Sequence, residues 1–364
     1  MPDPSPVDLV IVGAGPIGLA AAIGAKRSGL TYVVFDEGPI VAAIVRYPTY
    51  MTFFTTSERL EIGGHPLVSA GDKPTRKEAL DYYRKVVQNE ALTVRTYTRV
   101  TRVEPCASGG FVVRTRDEHG GVGAVAGRAV MLATGYFGHP RRLGVPGEDL
   151  PHVRHAFDEA HPSFGRDVLI VGAGSSAADA ALDLFRAGAR VTMVHRGATF
   201  RPSLKYWIRP NLENRVREGG ITAHFHTVVR AITPERVALE QRPPEQPARQ
   251  FELPAQRVYL LTGYYAPPDL LHAAGARTQP ETLAAELDPD SYETTVPGLY
   301  CIGSAGFGTR TSDVFIENGL VHAERAVAHL VARLGVASTD SAGSPRRASP
   351  TSATRSTRTP DPTA

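Results

Sequence analysis

The sequence predicts an α/β protein made of two parallel-sheet domains, the first interrupted by the second. GAGPIG at residues 13–18 and GAGSSA at residues 172–177 each follow an apolar run and precede a helical pattern. Near the end, residues 298–335 again give a strand, a glycine turn and a helix. Repeated strand–glycine turn–helix units of this kind are typical of Rossmann-like dinucleotide-binding domains, here of the three-layer ββα type.

The first unit begins with VDLVIV at residues 7–12, a run rich in β-branched side chains that predicts a buried strand. The glycine loop follows, then a helix at 19–28 that ends before Gly29, and a strand at 31–36. A helix at about 75–90 and a strand meander around 93–133 complete this part.

The second unit repeats the pattern, with a strand at 167–171, a helix at 178–187 and a strand at 190–196. Short strands near 221–240 and an apolar strand at 258–264 follow. We expect the first domain to span 7–150 and 255–336 and the second to span 151–254. Residues 337–364 are rich in Ser, Thr, Pro and Arg and are predicted to be disordered.

Composition excludes several function classes. The chain has 364 residues, 42% hydrophobic and 21% charged, with a net charge of +3, so neither a nucleic-acid nor a membrane partner is expected. The start lacks the basic region of a signal peptide, and a cytoplasmic location is expected by default. Two cysteines without a Cys-x-x-Cys pair predict no metal site and no local redox dithiol.

The two glycine loops predict two pyrophosphate sites. In such a loop the first glycine permits the turn, the second admits the phosphate, and the third lets helix and strand pack. The pyrophosphate then lies on free N–H groups of the helix. In the second loop the third glycine is replaced by Ala177, a tolerated variant. The predicted loop residues are Gly13, Gly15, Pro16 and Gly18 in the first unit and Gly172, Gly174, Ser175, Ser176 and Ala177 in the second.

The residues at the two strand ends differ in charge. Asp36 lies 23 positions after Gly13, and His195, followed by Arg196, lies 23 positions after Gly172. A carboxylate there accepts hydrogen bonds from a ribose 2′-OH, whereas arginine binds a 2′-phosphate. We expect Asp36, with Glu37 beside it, to contact an unphosphorylated adenosine and Arg196, helped by Arg201, to contact NADPH. Ordinary solvated charges are the alternative for either residue alone.

The first nucleotide is predicted to be FAD. LATGY (132–136), LLTGY (260–264) and GLYCIGSAGFG (298–308) place turns at strand ends, the last of them just before a helix whose N-terminus would face the flavin. Phe53 and Phe54 either flank the flavin ring or belong to the core. The further predicted contacts are Phe54, Val100, Thr134, Gly135, Gly303 and Ser304 for FAD and Gly263 for NADPH.

Longer segments carry a family resemblance over residues 7–335. The most specific are YPTYMTFFTTSERLEIGGHP (47–66), KPTRKEALDYYRKVV (73–87), EAHPSFGRDVLIVGAGSSAADAALDL (159–184), HRGATFRPSLKYWIRPN (195–211) and FIENG (315–319). The chain resembles thioredoxin-reductase-type flavoprotein reductases, and among them the bacillithiol-disulfide reductase (YpdA-like) family. The resemblance implies FAD in the first domain, NADPH in the second, a homodimer, and reduction of a small disulfide through a cysteine in the first glycine loop.

The sequence departs from that family at one position. Ile17 takes the place of the redox cysteine and cannot form a thiolate, so no catalytic residue is assigned. Neither Cys106, in a predicted surface turn, nor Cys301, in an apolar strand, is an obvious substitute. His139, His155 and His161 border the domain junction, either as proton relays or as structural histidines. Lys205 either adds charge toward NADPH or is an ordinary exposed lysine.

The electron acceptor therefore stays open at this stage. It is a disulfide, or else a quinone, ferredoxin or flavodoxin that meets the flavin directly. A flavin monooxygenase is a further alternative, although EDLPHVRHAF (148–157) keeps histidine and lacks the Phe and Gly that precede the histidine in that signature. A nucleotide-binding sensor without turnover is the alternative outside enzymes.

Overall fold

The structure is a computed structural model that describes residues 6–336. The predicted tail, residues 337–364, lies outside the described residues. The strands are β1 (Val7–Val12), β2 (Tyr32–Phe35), β3 (Val94–Arg95), β4 (Thr98–Pro105), β5 (Phe111–Asp117), β6 (Val122–Leu132), β7 (Val153–Arg154), β8 (Asp167–Val171), β9 (Arg190–Val194), β10 (Ile221–His224), β11 (Thr227–Ile232), β12 (Arg236–Gln241), β13 (Arg249–Pro254), β14 (Arg257–Leu260) and β15 (Leu299–Cys301). The α-helices are α1 (Pro16–Arg27), α2 (Ala42–Val45), α3 (Arg76–Asn89), α4 (Ser175–Arg186), α5 (Arg209–Arg217), α6 (Asp269–Ala273) and α7 (Ile316–Leu334), and 3₁₀ helices cover Ser57–Leu60, His161–Ser163 and Gly303–Phe307.

The first sheet has the strand order β3-β2-β1-β6-β5-β4, with β15 also paired to β6. Strand β6 serves two layers, because residues 122–127 pair antiparallel with β5 and residues 127–132 pair parallel with β1. Leu9 and Ile11 of β1 pack on the side of α1, α3 and α7, whereas Val10 and Val12 pack toward β4 and β5. A parallel strand buried on both faces in this way confirms the predicted three-layer fold.

The second sheet has the order β10-β9-β8-β14-β7 and is parallel throughout. Helix α4 packs on one face and the antiparallel sheet β11-β12-β13 on the other. Because β14 pairs with β8 and β7, it belongs to this second sheet. The predicted return to the first domain at residue 255 is therefore too early, since the chain leaves the second sheet only after Leu260. The prediction was wrong because the sequence of an apolar strand does not indicate which sheet the strand joins.

Helices α1 and α4 begin at Pro16 and Ser175, each three residues before the predicted start. Their N-cap residues are Gly15 and Gly174, and neither supplies a side-chain hydrogen bond to the first turn. The proline ring favours the first helical turn, which explains the early start of α1. The first-turn N–H groups of both helices consequently have no capping side chain and remain available to a ligand.

The described residues include neither a membrane span nor a metal cluster. Within residues 6–336, no helix is both long and apolar enough to cross a bilayer. The same residues contain no group of three or more His, Cys, Asp or Glu side chains arranged to hold a metal ion.

Candidate functional site

The first glycine loop is a cradle in which each glycine has its own steric reason. Gly13 has a φ of +112°, and a Cβ there would collide with the carbonyl oxygen of Ala133. A Cβ on Gly18 would collide with the carbonyl oxygen of Gly13, whereas the described atoms leave open space within 4 Å of a Cβ on Gly15. The backbone at Gly15 is therefore open to a ligand, and Gly18 packs beneath the loop instead of lining its surface.

Asp36 follows β2 directly and faces this loop. Its Oδ2 accepts a hydrogen bond of 2.7 Å from the backbone N–H of Ala14, and its Oδ1 accepts one of 2.8 Å from Gly38. Burial raises the pKa of the Asp36 carboxyl, and the two backbone hydrogen bonds oppose that rise. The neighbouring Glu37 has an oxygen 3.5 Å from Nε of Arg99. The acid expected to meet a ribose thus also braces the loop expected to hold the pyrophosphate.

The second glycine loop repeats the construction with one substitution. Gly172 has a φ of +144°, and a Cβ there would collide with the carbonyl oxygen of Leu261. At the third position Ala177 is buried in the core between α4 and the sheet. The described atom nearest to a Cβ on Gly174 is Cδ of Arg201, 3.9 Å away. This loop is open as well, and a cation borders it.

Three basic side chains gather after β9. Burial lowers the pKa of His195, and the charges of Arg201 and Arg196 lower it further, so the three groups share one region. Both guanidinium groups are exposed, and among residues 6–336 neither has a carboxylate within 4 Å. Two guanidinium groups without an ion-pair partner, beside an open helix N-terminus, suit a phosphate dianion.

Both loops open into one continuous cleft of about 2090 Å³. The ends of β6, β14 and β15 contribute their glycine turns to its wall. Every predicted contact except Gly18 lines this cleft. The lining residues are Gly13, Gly15, Pro16, Asp36, Glu37, Phe54, Val100, Thr134, Gly135, Gly303 and Ser304 around the first loop and Gly172, Gly174, Ser175, Ser176, Ala177, His195, Arg196, Arg201 and Gly263 around the second.

Position 17 is filled by packing and not by a reactive group. Ile17 is wedged against two glycines of the C-terminal part: its Cγ1 is 3.2 Å from the place of a Cβ on Gly303, and its Cδ1 is 3.0 Å from that on Gly319. Cys301 is completely buried, and burial raises the pKa of its thiol to about 12. Cys106 lies in the turn between β4 and β5 and does not line the cleft formed by the described residues. No thiolate therefore faces the cleft from the described part of the chain.

An aromatic cluster marks the domain junction, where the two TGY segments meet. The rings of Phe137 and Tyr264 stack with centroids 4.6 Å apart, and Tyr47 packs edge-on against Phe137 at 4.9 Å. The Tyr264 hydroxyl donates a hydrogen bond of 2.9 Å to the backbone oxygen of His155. Phe53, packed near Tyr47, belongs to the buried core. Sequence analysis missed this cluster, although the repeated TGY was a usable signal.

The junction histidines fall into two groups. His139 and His161 line the cleft, but His155 does not line the part of it that residues 6–336 form. The His155 ring lies 3.7 Å from the buried Glu148, and its Nδ1 has no hydrogen-bond partner among the described residues. Burial lowers the pKa of His155, so its position supports a structural role and not a proton relay at the cleft.

The segment after β9 also reaches across to the first domain. The Lys205 ammonium lies over the Phe54 ring, and the Trp207 ring centroid is 6.2 Å from that of Phe54. Burial lowers the pKa of Lys205 to about 8, although the carboxylates of Asp179 and Glu317 act in the opposite direction. Lys205 and Phe54 both line the cleft, so this contact lies where the two predicted cofactor sites converge.

Comparison with known proteins gives one family and several relatives. The family model described as pyridine nucleotide-disulphide oxidoreductase matches residues 10–303. Bacilliredoxin reductase Bdr of Bacillus subtilis (strain 168) is 37% identical over 324 residues, covering 89% of this chain and 97% of that protein. The solved structure of bacillithiol disulfide reductase Bdr (YpdA) from Bacillus cereus has 36% identity and a TM-score of 0.86 over 90% of this chain and 100% of that one. Its counterpart from Staphylococcus aureus has 35% identity and a TM-score of 0.82 over 90% of this chain and 98% of that one.

Proposed function

The chain belongs to the pyridine nucleotide-disulphide oxidoreductase family and is a flavoprotein reductase that uses FAD and NADPH, and we propose that its acceptor is a low-molecular-weight disulfide of the bacillithiol type. The two solved structures whose titles name bacillithiol disulfide reductase match 90% of the chain, which supports this substrate class. The proposal extends that likeness to the substrate and to the individual residues of the cleft.

The observation that carries the assignment of the two sites is the opposite charge at equivalent strand ends. The half-buried carboxylate of Asp36 stands beside the first loop, and the exposed guanidinium groups of Arg196 and Arg201 stand beside the second. A carboxylate repels a 2′-phosphate, whereas two guanidinium groups attract it. We therefore assign FAD to the first loop and NADPH to the second.

The residues around the first loop fit FAD. The open backbone at Gly15 and the uncapped start of α1 suit its pyrophosphate, and Asp36 keeps lone pairs free for a ribose hydroxyl. The turns after β6 and β15 line the cleft beyond the loop. The proposed FAD contacts are Gly13, Gly15, Pro16, Asp36, Glu37, Phe54, Val100, Thr134, Gly135, Gly303 and Ser304, with Gly18 as the packing residue below.

The residues around the second loop fit NADPH. Gly174 leaves room for a pyrophosphate at the N-terminus of α4, and the arginines can hold the 2′-phosphate. The proposed NADPH contacts are Gly172, Gly174, Ser175, Ser176, Ala177, His195, Arg196, Arg201 and Gly263. When bound, FAD and NADPH supply the hydride chemistry, and the protein contributes binding, alignment and exclusion of water.

The proposed reaction differs from a cysteine relay in one respect. Ile17 stands where the resemblance places a redox cysteine, and the Cys301 thiol is buried with a raised pKa. The disulfide therefore has to enter the cleft as far as the place where the two cofactor sites converge, and it does not first exchange with a protein thiol. The side chains of Phe54 and Lys205 are in position to contact it there.

Location and assembly are part of the same proposal. Both cysteines are free, which suits a reducing compartment such as the cytoplasm, where NADPH is also available. We further propose a homodimer, as the family resemblance implies, and a small redox substrate as the main partner.

The test is an acceptor screen with the purified holoprotein and NADPH. Bacillithiol disulfide, ferredoxin, flavodoxin, quinones and oxygen are compared by the kcat/KM of NADPH oxidation. The proposal expects bacillithiol disulfide to give the highest value and to yield two thiols for each NADPH consumed. Turnover with ferredoxin or a quinone but no thiol product would contradict it.

The lack of a thiolate in the cleft of the described residues favours one second candidate, since Cys301 lines the cleft but its buried thiol has a raised pKa. Without a cysteine relay, electrons can pass directly from the reduced cofactor to a ferredoxin, a flavodoxin or a quinone. The same screen decides between the two functions, because only disulfide reduction releases thiols, which a colorimetric reagent counts.

A further inference from the structure

Disulfide reduction has a proton requirement that the cofactor sites do not meet. Two electrons and two protons convert one disulfide into two thiols, and hydride from NADPH accounts for both electrons and one proton. Cleavage of the S–S bond therefore yields one thiol and one thiolate, RSSR + H⁻ → RSH + RS⁻. The thiolate needs a second proton, from a protein group or from water.

Several groups in the cleft are poor sources of this proton. The Cys301 thiol is fully buried in a strand, and burial raises its pKa to about 12. Burial raises the pKa of Asp179 to about 6, so this carboxyl is mostly ionised at neutral pH. Burial lowers the pKa of His139, which leaves its ring mostly neutral. Ile17 has no exchangeable proton.

Lys205 is a cleft group whose position suits the task. Its backbone N–H lies 3.4 Å from Oγ of Ser175, which ties the segment to the start of α4. Its ammonium lies over the Phe54 ring of the first domain, inside the cleft. Among residues 6–336 no carboxylate lies within 4 Å of Nζ, so all three N–H donors remain unused by an ion pair. The half-buried ammonium packs on an aromatic ring and has no carboxylate partner in the described part of the chain, so its N–H groups can donate to a substrate when one binds.

From this geometry we infer that Lys205 is a catalytic residue of the reductase and that its Nζ–H protonates the thiolate released from the disulfide. In this step the N–H bond breaks and an S–H bond forms, RS⁻ + Lys-NH₃⁺ → RSH + Lys-NH₂, and solvent returns the proton to the amine. The inference rests on the proposed disulfide reduction and names the residue that completes it.

The lowered pKa of Lys205 suits the donation of a proton to a thiolate. Burial lowers its pKa to about 8, Lys73 lowers it further, and Asp179 and Glu317 oppose the shift. A free thiol has a pKa of about 8.5, so proton transfer from Lys205 is close to balanced. The donor is the protonated form, which predominates below pH 8 and is lost as the pH rises through about 8. Disulfide turnover should therefore fall on the alkaline side.

Two substitutions at this position separate proton donation from simple charge attraction. Lys205→Met removes the proton and the charge, whereas Lys205→Arg keeps the charge on a group too basic to donate. Lys73→Met serves as the matched control, because Lys73 is exposed and does not line the cleft formed by the described residues. Removing this neighbouring cation should leave kcat at pH 7 within about twofold of the wild-type value. The fall of kcat on the alkaline side should move to higher pH, because the pKa of Lys205 rises.

For each variant, kcat with bacillithiol disulfide is measured from pH 6 to 10, beside the anaerobic bleaching of the flavin by NADPH. We expect both Lys205 variants to lose about 100-fold in kcat at pH 7, as for a general acid, and to lose the limb near pH 8. Flavin bleaching should change less than about twofold. An aryl disulfide such as 5,5′-dithiobis(2-nitrobenzoate), whose thiolate needs no proton, should be reduced at the wild-type rate.

A measurement without turnover gives a second check. Competitive acetylation across the same pH range, read by peptide mass spectrometry, should give Lys205 a titration midpoint near pH 8, well below that of exposed lysines. A midpoint above pH 10 would overturn the inference, as would full rescue by Lys205→Arg or unchanged kcat in Lys205→Met. Wild-type protein that reduces no disulfide would instead refute the proposed function itself.

Discussion

The two glycine loops are built on one pattern, yet the groups at their strand ends are in opposite physical states. Asp36 is half-buried and both of its oxygens already accept backbone hydrogen bonds. Arg196 and Arg201 are exposed and have no carboxylate partner among residues 6–336. The first site is therefore organised before any ligand arrives, whereas the second keeps its charges free.

This difference suits the two kinds of cofactor. A site whose acid is fixed to its own loop loses little freedom when it binds, so it favours a cofactor that stays bound. A site with two solvated guanidinium groups gains its main contacts only from the ligand, and it can release that ligand when the reaction is complete. The comparison predicts a resident FAD and an exchanging NADPH.

The sharpest way to break the comparison is to remove both arginines. In Arg196→Ala/Arg201→Ala we expect the KM for NADPH to rise about 100-fold or more, since each lost charge-assisted contact is worth about 1.5–3 kcal/mol. The single variant Arg196→Ala should raise it about 10- to 100-fold. Steady-state kinetics with NADPH and NADH measure both effects.

The matched control for these variants is Arg217→Ala, on the exposed end of α5 in the same domain. It should leave both KM values unchanged. Equal losses with NADPH and NADH in the double variant would show that the arginines do not contact a 2′-phosphate.

The third positions of the loops offer a second comparison with a smaller effect. A Cβ on Gly18 would collide with the carbonyl oxygen of Gly13, whereas Ala177 already occupies the equivalent place in the second loop. Gly18→Ala should lower the free energy of unfolding by about 1–3 kcal/mol and weaken FAD retention. Ala177→Gly should cost about 1 kcal/mol, the ordinary helix penalty. Urea denaturation gives the free energy of unfolding of both variants, and the FAD-to-protein ratio gives their FAD retention. A ratio that falls equally in both variants would contradict the steric argument.

Most of this organisation could be predicted from the sequence because it is local. A strand of β-branched residues, a glycine turn and a helix lie within about 30 residues, so both nucleotide units were found. The helix starts were displaced by three residues because glycine N-caps supply no side-chain signal. Strand β14 was assigned to the wrong domain because its pairing with β8 is a long-range contact.

The centre of the cleft was less predictable for the same reason. Phe54 and Lys205 are 151 positions apart, and nothing in either segment indicates that the ammonium lies over the ring. The position of the His155 side chain was also not predictable from the sequence, because its place beside Glu148 depends on how the domain junction packs. Local motifs identify the cofactors, whereas the groups that we propose to meet the substrate come from contacts between domains.

The smallest expected effect concerns position 17 and sharpens the contrast at the first loop. Ile17→Cys would place a thiol in the first turn of α1, where the helix N-terminus favours the thiolate. We expect a several-fold gain in kcat/KM for bacillithiol disulfide, with about 1–2 kcal/mol of stability lost because contacts with Gly303 and Gly319 are removed. Ile17→Val, which shortens the side chain without adding a thiol, is the control. No gain beyond that of Ile17→Val would mean that the disulfide does not reach this loop.

The most direct test of the central claim is a crystal structure of the holoprotein soaked with NADP⁺. The account predicts the FAD adenosine beside Asp36 and the 2′-phosphate of NADP⁺ between Arg196 and Arg201. A 2′-phosphate beside Asp36, or saturating NADP⁺ that leaves both guanidinium groups without an anion, would contradict it.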